Sequence, residues 1–199
     1  MNQTPPKISS DNYSTIIISL KEGKVVALPT ETVFGLAVSL NSASGLEKLI
    51  YLKRRDLNSG KIFTLVPESK DAIETYALLG KRAKELVVKY VPGELTLILN
   101  KNPDFSHPYF NNFNTIGIRI PKTPLFSRLL PETGPLLLTS ANRRGETPTN
   151  SSAEVEAALP KVDLIVEGKS GGNPPSTIID LTKKFPKVIR EGRIKLEKF

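Results

Sequence analysis

Short apolar runs that end in small polar residues recur along the chain, and the first of them is representative. Residues 25–28 are apolar, and Pro29 ends this run. Thr30, Glu31 and Thr32 then place two hydroxyls around one carboxylate, before Gly35 begins a further apolar segment. A buried strand that opens into a loop of small polar groups presents side chains at a sheet edge. The pattern predicts a strand and a candidate small-molecule contact, although a functionless turn is the simpler interpretation of this stretch alone.

Helical and extended periodicities alternate irregularly along the chain. Apolar spacing and helix-ending residues predict helices near residues 13–20, 44–53, 83–90, 123–130 and 151–159. Ser44 and Ser151, each followed three residues later by glutamate, match the capping box at a helix start. Extended runs predict further strands near residues 62–66, 95–99, 116–120, 135–138, 162–166, 176–181 and 187–190. We therefore expect an α/β fold, a single domain over residues 1–199, with short helices on a mixed, twisted sheet.

One of these strands carries an arginine. Residues 116–120 are apolar at alternate positions, which places Gly117 and Arg119 on the opposite face. An arginine on so apolar a strand needs an anion, a cluster of carbonyl oxygens or water at its tip. The preceding segment, residues 100–115, is rich in Asn, Pro and Phe and is predicted to be a long loop.

The charge balance favours anionic partners. The chain has 28 Lys and Arg against 20 Asp and Glu, a net charge of +8. A clustered positive field would attract nucleotide phosphates or nucleic acid, whereas a diffuse one would only favour solubility. There is no cysteine and one histidine, His107, so disulfides, thiolate metal sites and multi-histidine metal sites are excluded. No apolar run reaches the roughly 20 residues of a membrane helix, and the polar start is unlike a secretory signal, so we expect a cytoplasmic protein without membrane attachment.

The common nucleotide-binding motifs are absent from the sequence. Gly168, Lys169 and Ser170 resemble the end of a phosphate-binding loop, but Asp163 stands where the first glycine is required. No Gly-x-Gly-x-x-Gly motif occurs. A nucleotide would therefore have to be bound by side chains from several loops.

Several separate stretches have the composition for such a site. Lys53 and Arg55 could meet a triphosphate, and Ser140 with Asn142 could orient phosphate, ribose or base. Arg119 and Arg190 each emerge from an apolar strand, and Ser176 opens a strand after a Gly/Pro loop. Each also has a structural explanation, as a helix end, a turn or an edge-strand ion pair.

Taken together, these stretches resemble the YrdC/TsaC family of threonylcarbamoyl-AMP synthases, in the family's order and over nearly the whole chain. The matching segments are PTETVFGLA (29–37), the KxR of residues 53–55, PGELTLIL (92–99), IGIRIP (116–121), LTSAN (138–142) with its SxN, STIIDL (176–181) and VIREG (188–192).

The resemblance implies a YrdC-like fold, a twisted sheet enclosing a positively lined concave cavity, and a reaction. L-Threonine, bicarbonate or CO₂, and ATP with Mg²⁺ would give threonylcarbamoyl-AMP and pyrophosphate, the first step toward threonylcarbamoyladenosine in tRNA. A downstream threonylcarbamoyl-transferase complex and tRNA itself are the implied partners. The resemblance assigns threonine binding to Thr30, Arg119, Ser140 and Ser176. It assigns ATP binding to Lys53, Arg55, Thr115, Asn142, Asn150 and Arg190, catalysis to Lys53, Arg55, Ser140 and Asn142, and no metal ligand to the protein.

The sequence departs from the family pattern in two places. Asp56 replaces the proline that usually follows KxR, so contacts from residues 56–62 differ from the family's. An acid there would weaken ATP binding or help to hold Mg²⁺. The chain also ends near Phe199, without the extra C-terminal domain of longer relatives, and is expected to be the short form.

Two other functions compete with this hypothesis. A non-catalytic module could bind tRNA or double-stranded RNA in the basic cavity, although the sequence has no known RNA-binding motif. A carbamoyl-transfer domain of the hydrogenase-maturation type shares the implied fold, but such domains accompany cysteine-rich zinc modules and this chain has no cysteine.

Overall fold

A computed structural model gives the structure of the protein and describes residues 4–54, 63–143, 145–172 and 174–196. The α-helices of this described part are α1 (Tyr13–Lys21), α2 (Ala43–Lys53), α3 (Ile73–Tyr76), α4 (Lys81–Tyr90), α5 (Pro124–Thr133) and α6 (Ser152–Ala158). None of them is both long and apolar enough to span a bilayer.

The strands of the described residues form one sheet. They are β1 (Lys7–Ile8), β2 (Val26–Leu28), β3 (Gly35–Ser39), β4 (Thr64–Val66), β5 (Leu95–Asn100), β6 (Thr115–Ile118), β7 (Leu136–Ser140), β8 (Leu164–Val166), β9 (Thr177–Asp180) and β10 (Lys187–Arg190). Their order is β1-β8-β2-β3-β7-β4-β6-β5-β9-β10. Parallel pairs such as β4 with β6 lie beside antiparallel pairs such as β3 with β7, so the sheet is mixed. This confirms the predicted α/β class.

Helices α1 and α2 pack against β3, and α6 packs against β8. Gly45 of α2 lies so close to Val38 that an added Cβ would stand 2.4 Å from the valine side chain. Successive side chains of a strand point to opposite faces, so Gly35 and Val38 face opposite ways. The face that bears Gly35 is therefore not covered by α2, and the cavity described below lies on it.

Side-chain caps begin several helices at positions that the sequence indicates. Ser151 accepts a hydrogen bond from the Glu154 N–H, as its capping box predicts, and Thr123, where a helix was predicted to begin, accepts one from the Phe126 N–H. The predicted cap at Ser44 is wrong. Helix α2 begins two residues earlier, where the Ser42 Oγ accepts a hydrogen bond of 3.1 Å from the Gly45 N–H.

The long connection after β5 carries its own apolar cluster. It contains a short 3₁₀ turn over Pro108–Phe110, in which Tyr109 and Phe110 are buried. Tyr109 stacks on Phe63 with ring centroids 5.6 Å apart, and its hydroxyl accepts a hydrogen bond from the Phe63 N–H. The lone histidine, His107, begins the turn: its Nδ1 accepts from the Tyr109 N–H, which leaves Nε2 to donate to the Leu40 carbonyl.

The other long helices and strands begin and end within a few residues of the bounds that the sequence predicts. It did not identify β1 and α3, which are two and four residues long, and it described β3 only as a buried segment. Because all five residues of β3 are buried, no alternation of polar and apolar residues marks it as a strand. The division of the chain into a single domain stays a prediction.

Candidate active site

A cavity of about 500 Å³ lies around β3, β7, β6 and β5, on the face of β3 that α2 does not cover. On β5 and β6 the lining follows the strand period of two, with Thr96 and Ile98 on β5, and Thr115 and Gly117 on β6. The polar groups that converge on it come from the ends of separate strands. They are Thr30, Thr64, Thr96, Thr115, Arg119, Thr139, Ser140, Ser176 and Arg190.

The turn after β2 and the end of β7 are fixed against each other. Gly35 pairs with Ser140 across the antiparallel β3–β7 ladder, and the Ala141 N–H donates to the Phe34 carbonyl at 2.7 Å. A Cβ on Gly35 would stand 2.6 Å from the Leu138 side chain, so glycine permits this close approach. The approach brings Ser140 to the same cavity as Thr30.

Buried hydroxyls connect Thr30 to Arg119. The Thr30 Oγ1 donates to the Val33 carbonyl at 2.7 Å and lies 3.0 Å from the Thr32 Oγ1. The single hydroxyl proton of Thr30 is donated to that carbonyl, so the Thr32 hydroxyl must be the donor in its contact with Thr30. The Thr32 oxygen therefore accepts the hydrogen bond from Arg119 Nη2 at 2.8 Å. Thr32 has no exposed surface, so this link is shielded from water.

Arg119 is 7% exposed and is held from three directions. Its Nε donates to the Gly93 carbonyl at 3.1 Å, and its Nη2 lies 3.1 Å from the Glu31 carboxylate. The same Glu31 oxygen accepts from the Lys122 N–H, while its second oxygen is buried without a hydrogen-bond partner. The anion and carbonyl partners expected for an arginine on this strand are both present.

Arg190 reaches the cavity from the edge strand β10. The β9–β10 register shifts between Val188 and Arg190, and consecutive residues Ile189 and Arg190 both line the cavity. A bulge of this kind re-aims a side chain that regular alternation would turn away. Arg190 Nη2 donates to the Ser176 Oγ at 3.1 Å, and its Nε donates to the Ser176 carbonyl at 3.0 Å.

The two arginines share one electrostatic environment. Burial, with the positive charge of Arg119 as a second cause, lowers the pKa of the Arg190 guanidinium. Arg119 has Glu31 as a counterion, whereas Arg190 contacts no carboxylate in the part of the chain that the structure describes. An anion bound between them would relieve this repulsion.

Lys53 supports the end of β7 from behind. Lys53 is 5% exposed, and its ammonium donates to the Ser140 carbonyl at 2.7 Å and to the carbonyl and side-chain oxygens of Asn142 at 2.5 and 3.0 Å. Ser140 Oγ in turn donates to Asn142 Oδ1 at 2.6 Å. Lys53, Ser140 and Asn142 therefore form one hydrogen-bonded unit in which only Ser140 lines the cavity.

The structure brings most of the predicted site residues together. The four residues assigned to threonine, and Thr115 and Arg190 from the ATP set, line one cavity. Lys53 and Asn142 lie directly behind Ser140. Asn150 does not line the cavity, and its side-chain oxygen is buried without a partner. Arg55, Asp56 and the rest of residues 55–62 lie outside the described residues.

Sequence reasoning placed Thr32 in a candidate small-molecule contact but assigned it no role in the site, and it missed Thr96. Thr32 bonds to both Thr30 and Arg119, and Thr96 Oγ1 lies 2.9 Å from the Ser176 Oγ. Both residues stand inside segments that matched the family pattern. The register pairs Thr96 with Ile178, a cavity residue, and only this pairing of distant strands marks Thr96 as a site residue.

Metal binding by the protein was not predicted. Among the described residues, no group of three or more His, Asp and Glu side chains could hold a metal ion. Mg²⁺ is commonly bound through one or two carboxylates and the phosphates of a substrate.

Comparisons of sequence identify related proteins over most of the chain. The Sua5/YciO/YrdC family model, described as "Telomere recombination", matches residues 19–192. A Methanocaldococcus jannaschii protein, provisionally named threonylcarbamoyl-AMP synthase, is 35% identical over 178 residues, or 88% of this chain and 83% of that protein. YciO of Escherichia coli K12, named as an uncharacterized protein, is 32% identical over 177 residues, or 87% of this chain and 85% of that protein.

Solved structures share the fold. Sua5 of P. abyssi in complex with L-threonine superposes with a TM-score of 0.83 at 26% identity and covers 95% of this chain. This chain spans 57% of the length of that Sua5 chain. The crystal structure of E. coli YciO gives a TM-score of 0.82 at 28% identity, covering 95% of this chain and 93% of that one. On the match of residues 19–192 and these relatives, the chain belongs to the Sua5/YciO/YrdC family.

Proposed function

We propose that this chain is an L-threonylcarbamoyladenylate synthase, which makes threonylcarbamoyl-AMP and pyrophosphate from L-threonine, bicarbonate or CO₂, and ATP. One observation carries the proposal: Thr30, Arg119, Ser140 and Ser176, distant in sequence, line a single cavity together with Arg190. The relative named threonylcarbamoyl-AMP synthase and the Sua5 complex with L-threonine support it.

In this proposal the two arginines receive the anionic groups of the substrates. The Nε of Arg119 donates to Gly93 and its Nη2 faces Thr32 and Glu31, so the guanidinium is held rigidly and its Nη1 can donate to the threonine carboxylate. The Ser140 and Ser176 hydroxyls lie in the same cavity and would position the amine and side-chain hydroxyl. The apolar side chains of Val33 and Leu138 in the lining offer contacts for the methyl group.

The reaction requires positioning more than a base inside the cavity. The threonine nitrogen attacks CO₂ and loses a proton, which gives a carbamate. A carbamate oxygen then forms a bond to the α-phosphorus of ATP, and the bond between that phosphorus and the bridging oxygen breaks to release pyrophosphate. Both partners are anions, so fixed cations accelerate the step by stabilising developing charge. Arg190 meets this need because it lines the cavity and has no carboxylate among its described contacts.

The ATP contacts follow from the same proposal. Arg190 and Thr115 would contact ATP inside the cavity, and Arg55, Asn142 and Asn150 complete the proposed set. The Lys53 ammonium contacts oxygens of Ser140 and Asn142, and it would contact ATP directly by exchanging these oxygens for phosphate oxygens. Its second role is indirect, because it holds Ser140 and Asn142 in place. Mg²⁺ would enter with the ATP phosphates and neutralise part of their charge.

The product is a mixed anhydride, so a second enzyme must accept its threonylcarbamoyl group before water does. We place this chain at the first step of tRNA threonylcarbamoyladenosine formation, in the cytoplasm, with a threonylcarbamoyl-transferase complex downstream.

The test is pyrophosphate release by the purified protein with ATP, Mg²⁺ and bicarbonate, with and without L-threonine. Release should require L-threonine, and mass spectrometry should detect threonylcarbamoyl-AMP. L-Serine lacks one methyl group and should react at least about tenfold less efficiently, the usual discrimination for one methylene-sized group. Release that does not depend on threonine would show that the chain is not this synthase.

A matched pair of variants locates the activity in the cavity. Arg190→Gln should lower kcat by roughly a hundredfold or more, the cost of removing one preorganised charge contact. Arg128→Gln removes the same charge from the exposed face of α5, where Arg128 packs on Tyr13, and should retain wild-type turnover. Equal rates in both variants would exclude Arg190 from the site.

A further inference from the structure

A second cavity of about 450 Å³ lies beside the first, at the C-terminal end of α2. Its lining includes the apolar residues Leu52, Leu159 and Pro160 and three cations, Arg54, Arg143 and Lys161. Arg54 directly follows Lys53, and Arg143 directly follows Asn142, so this cavity lies next to the Lys53–Asn142 unit. None of its lining residues lines the first cavity.

Among the described residues, the three cations have no acidic partner. Eight ion pairs join other residues of the described chain, but none of them includes Arg54, Arg143 or Lys161. Arg143 uses only its Nε, which donates to the Ala158 carbonyl at 2.9 Å. The remaining guanidinium N–H groups of Arg143 and Arg54 have no protein acceptor among the described residues. Positive charge that is concentrated around a cavity and not neutralised attracts anions.

An exposed aromatic ring stands at the same place. Tyr51 is 63% exposed, although it belongs to the last turns of α2. Lys161 Nζ lies 3.0 Å from the Tyr51 hydroxyl and 5.4 Å from the ring centroid, which places the ammonium at the rim of the ring. The faces of the ring are therefore left accessible. The hydrogen bond from Lys161, with the charges of Lys161 and Arg54, lowers the pKa of the Tyr51 phenol.

We propose that this second cavity binds single-stranded nucleic acid, with one base stacked on Tyr51 and the neighbouring phosphates bound by Arg54, Arg143 and Lys161. Positively charged grooves with aromatic platforms are the usual means of binding single strands without sequence preference. The apolar lining residues accept the flat faces of bases, and the open guanidinium groups suit phosphate oxygens.

The arrangement fits a strand better than a free nucleotide. Three cations line the cavity, more than the single phosphate of a nucleoside monophosphate requires. Tyr51 is exposed over more than half of its surface, so its ring can be reached by a base that belongs to a longer strand. This site is independent of the proposed synthase activity, because it uses different residues.

The test measures the binding of a fluorescein-labelled single-stranded oligouridine of about 12 nucleotides by fluorescence anisotropy at several salt concentrations. Wild-type protein should bind it, and Tyr51→Ala should weaken binding roughly fivefold or more, as expected for one lost stacking contact. Arg54→Gln and Lys161→Gln should weaken binding at every salt concentration and reduce the slope of log K against log salt by about 0.7 each. Threonine-dependent pyrophosphate release should be unchanged in these variants.

A second lysine–aromatic pair provides the matched control. Phe185 is 77% exposed and has Lys184 Nζ 5.8 Å from its ring centroid, but neither residue lines this cavity. Phe185→Ala and Lys184→Gln should bind oligouridine as the wild type does. The proposal would be overturned if the wild type did not bind oligouridine, or if the Phe185 and Lys184 variants lost as much binding as the Tyr51 and Lys161 variants. It would also be overturned if the Tyr51 site bound AMP but not oligouridine.

Discussion

Thr32 has no exposed surface, yet its hydroxyl joins two side chains of the cavity. It accepts from Arg119 Nη2 at 2.8 Å and contacts Thr30 Oγ1 at 3.0 Å. Thr32→Val keeps the shape but leaves Arg119 less firmly oriented, so the KM for L-threonine should rise by about tenfold, the scale of one hydrogen bond to a charged group. Steady-state kinetics at varied threonine concentration measures this, and kcat should change less than KM.

A threonine outside the cavity controls for loss of stability. Thr133 Oγ1 donates to the Leu129 and Gly134 carbonyls at the end of α5. Thr133→Val should lower the free energy of unfolding by about 1 kcal/mol and leave the KM unchanged. If both valine variants raise the KM equally, Thr32 does not position Arg119.

Ionisation of the Tyr76 phenol makes the free energy of unfolding depend on pH. Burial, and then its 2.8 Å hydrogen bond to Glu68, raise the pKa of Tyr76 well above its ordinary value of 10.0. The folded state keeps this phenol protonated where the unfolded chain ionises it. Its contribution to the free energy of unfolding is therefore complete below about pH 10 and is lost as the pH rises above it.

The difference in free energy of unfolding between wild type and Tyr76→Phe should thus shrink from about pH 9 to about pH 11 in urea titrations. Comparing the two proteins cancels the titration of the lysines. Tyr90→Phe is the control, because the Tyr90 hydroxyl makes no hydrogen bond within the described chain. A constant difference for Tyr76→Phe would show that the phenol titrates normally.

Helix α2 shows how a side-chain cap selects the start of an element. Ser42 caps the helix and Ser44 lies within its first turn, although Ser44 is the residue followed by glutamate at the capping-box spacing. Ser42→Ala should lower the free energy of unfolding by about 1 kcal/mol, whereas Ser44→Ala should change it by much less. Chemical denaturation of the two variants distinguishes the positions, and a larger loss at Ser44 would contradict the observed cap.

Elements could be predicted from the sequence where a local signal exists. Ser151 was identified as a cap because its side chain reaches an N–H three residues away, within a recognisable Ser-x-x-Glu spacing. Strand β3 could not be identified by its period, since it is buried on both faces. The direction of Arg190 could not be predicted either, because it depends on a register shift between two paired strands.

At the scale of the whole molecule, the sheet order assembles the cavity from distant segments. Sequence indicated Thr30, Arg119, Ser140 and Ser176 through family motifs, but local pattern could not place them together. The pairing of β3 with β7, of β6 with β4 and β5, and of β5 with β9 does so. The KxR motif identified Lys53 as a site residue but not its contacts. Its side chain donates to the carbonyls at the end of β7, which residue spacing does not predict.

This assembly predicts that substrates bound in the cavity will stabilise the segments on both sides of it, the Thr30 and Ser140 side and the β10 side. At 100 times its Kd, a ligand stabilises the binding-competent state by about 2.7 kcal/mol, or roughly a hundredfold in exchange rate for amides that need the cavity to open. With L-threonine and a non-hydrolysable ATP analogue, hydrogen exchange should slow around Thr30, around Ser140 and along β10, the edge strand that carries Arg190. Helix α4, which contributes no residue to the cavity lining, is the internal reference and should exchange at an unchanged rate. Since Arg190 reaches the cavity only through the β9–β10 pairing, protection confined to the Thr30 side would mean that the ligand does not engage Arg190.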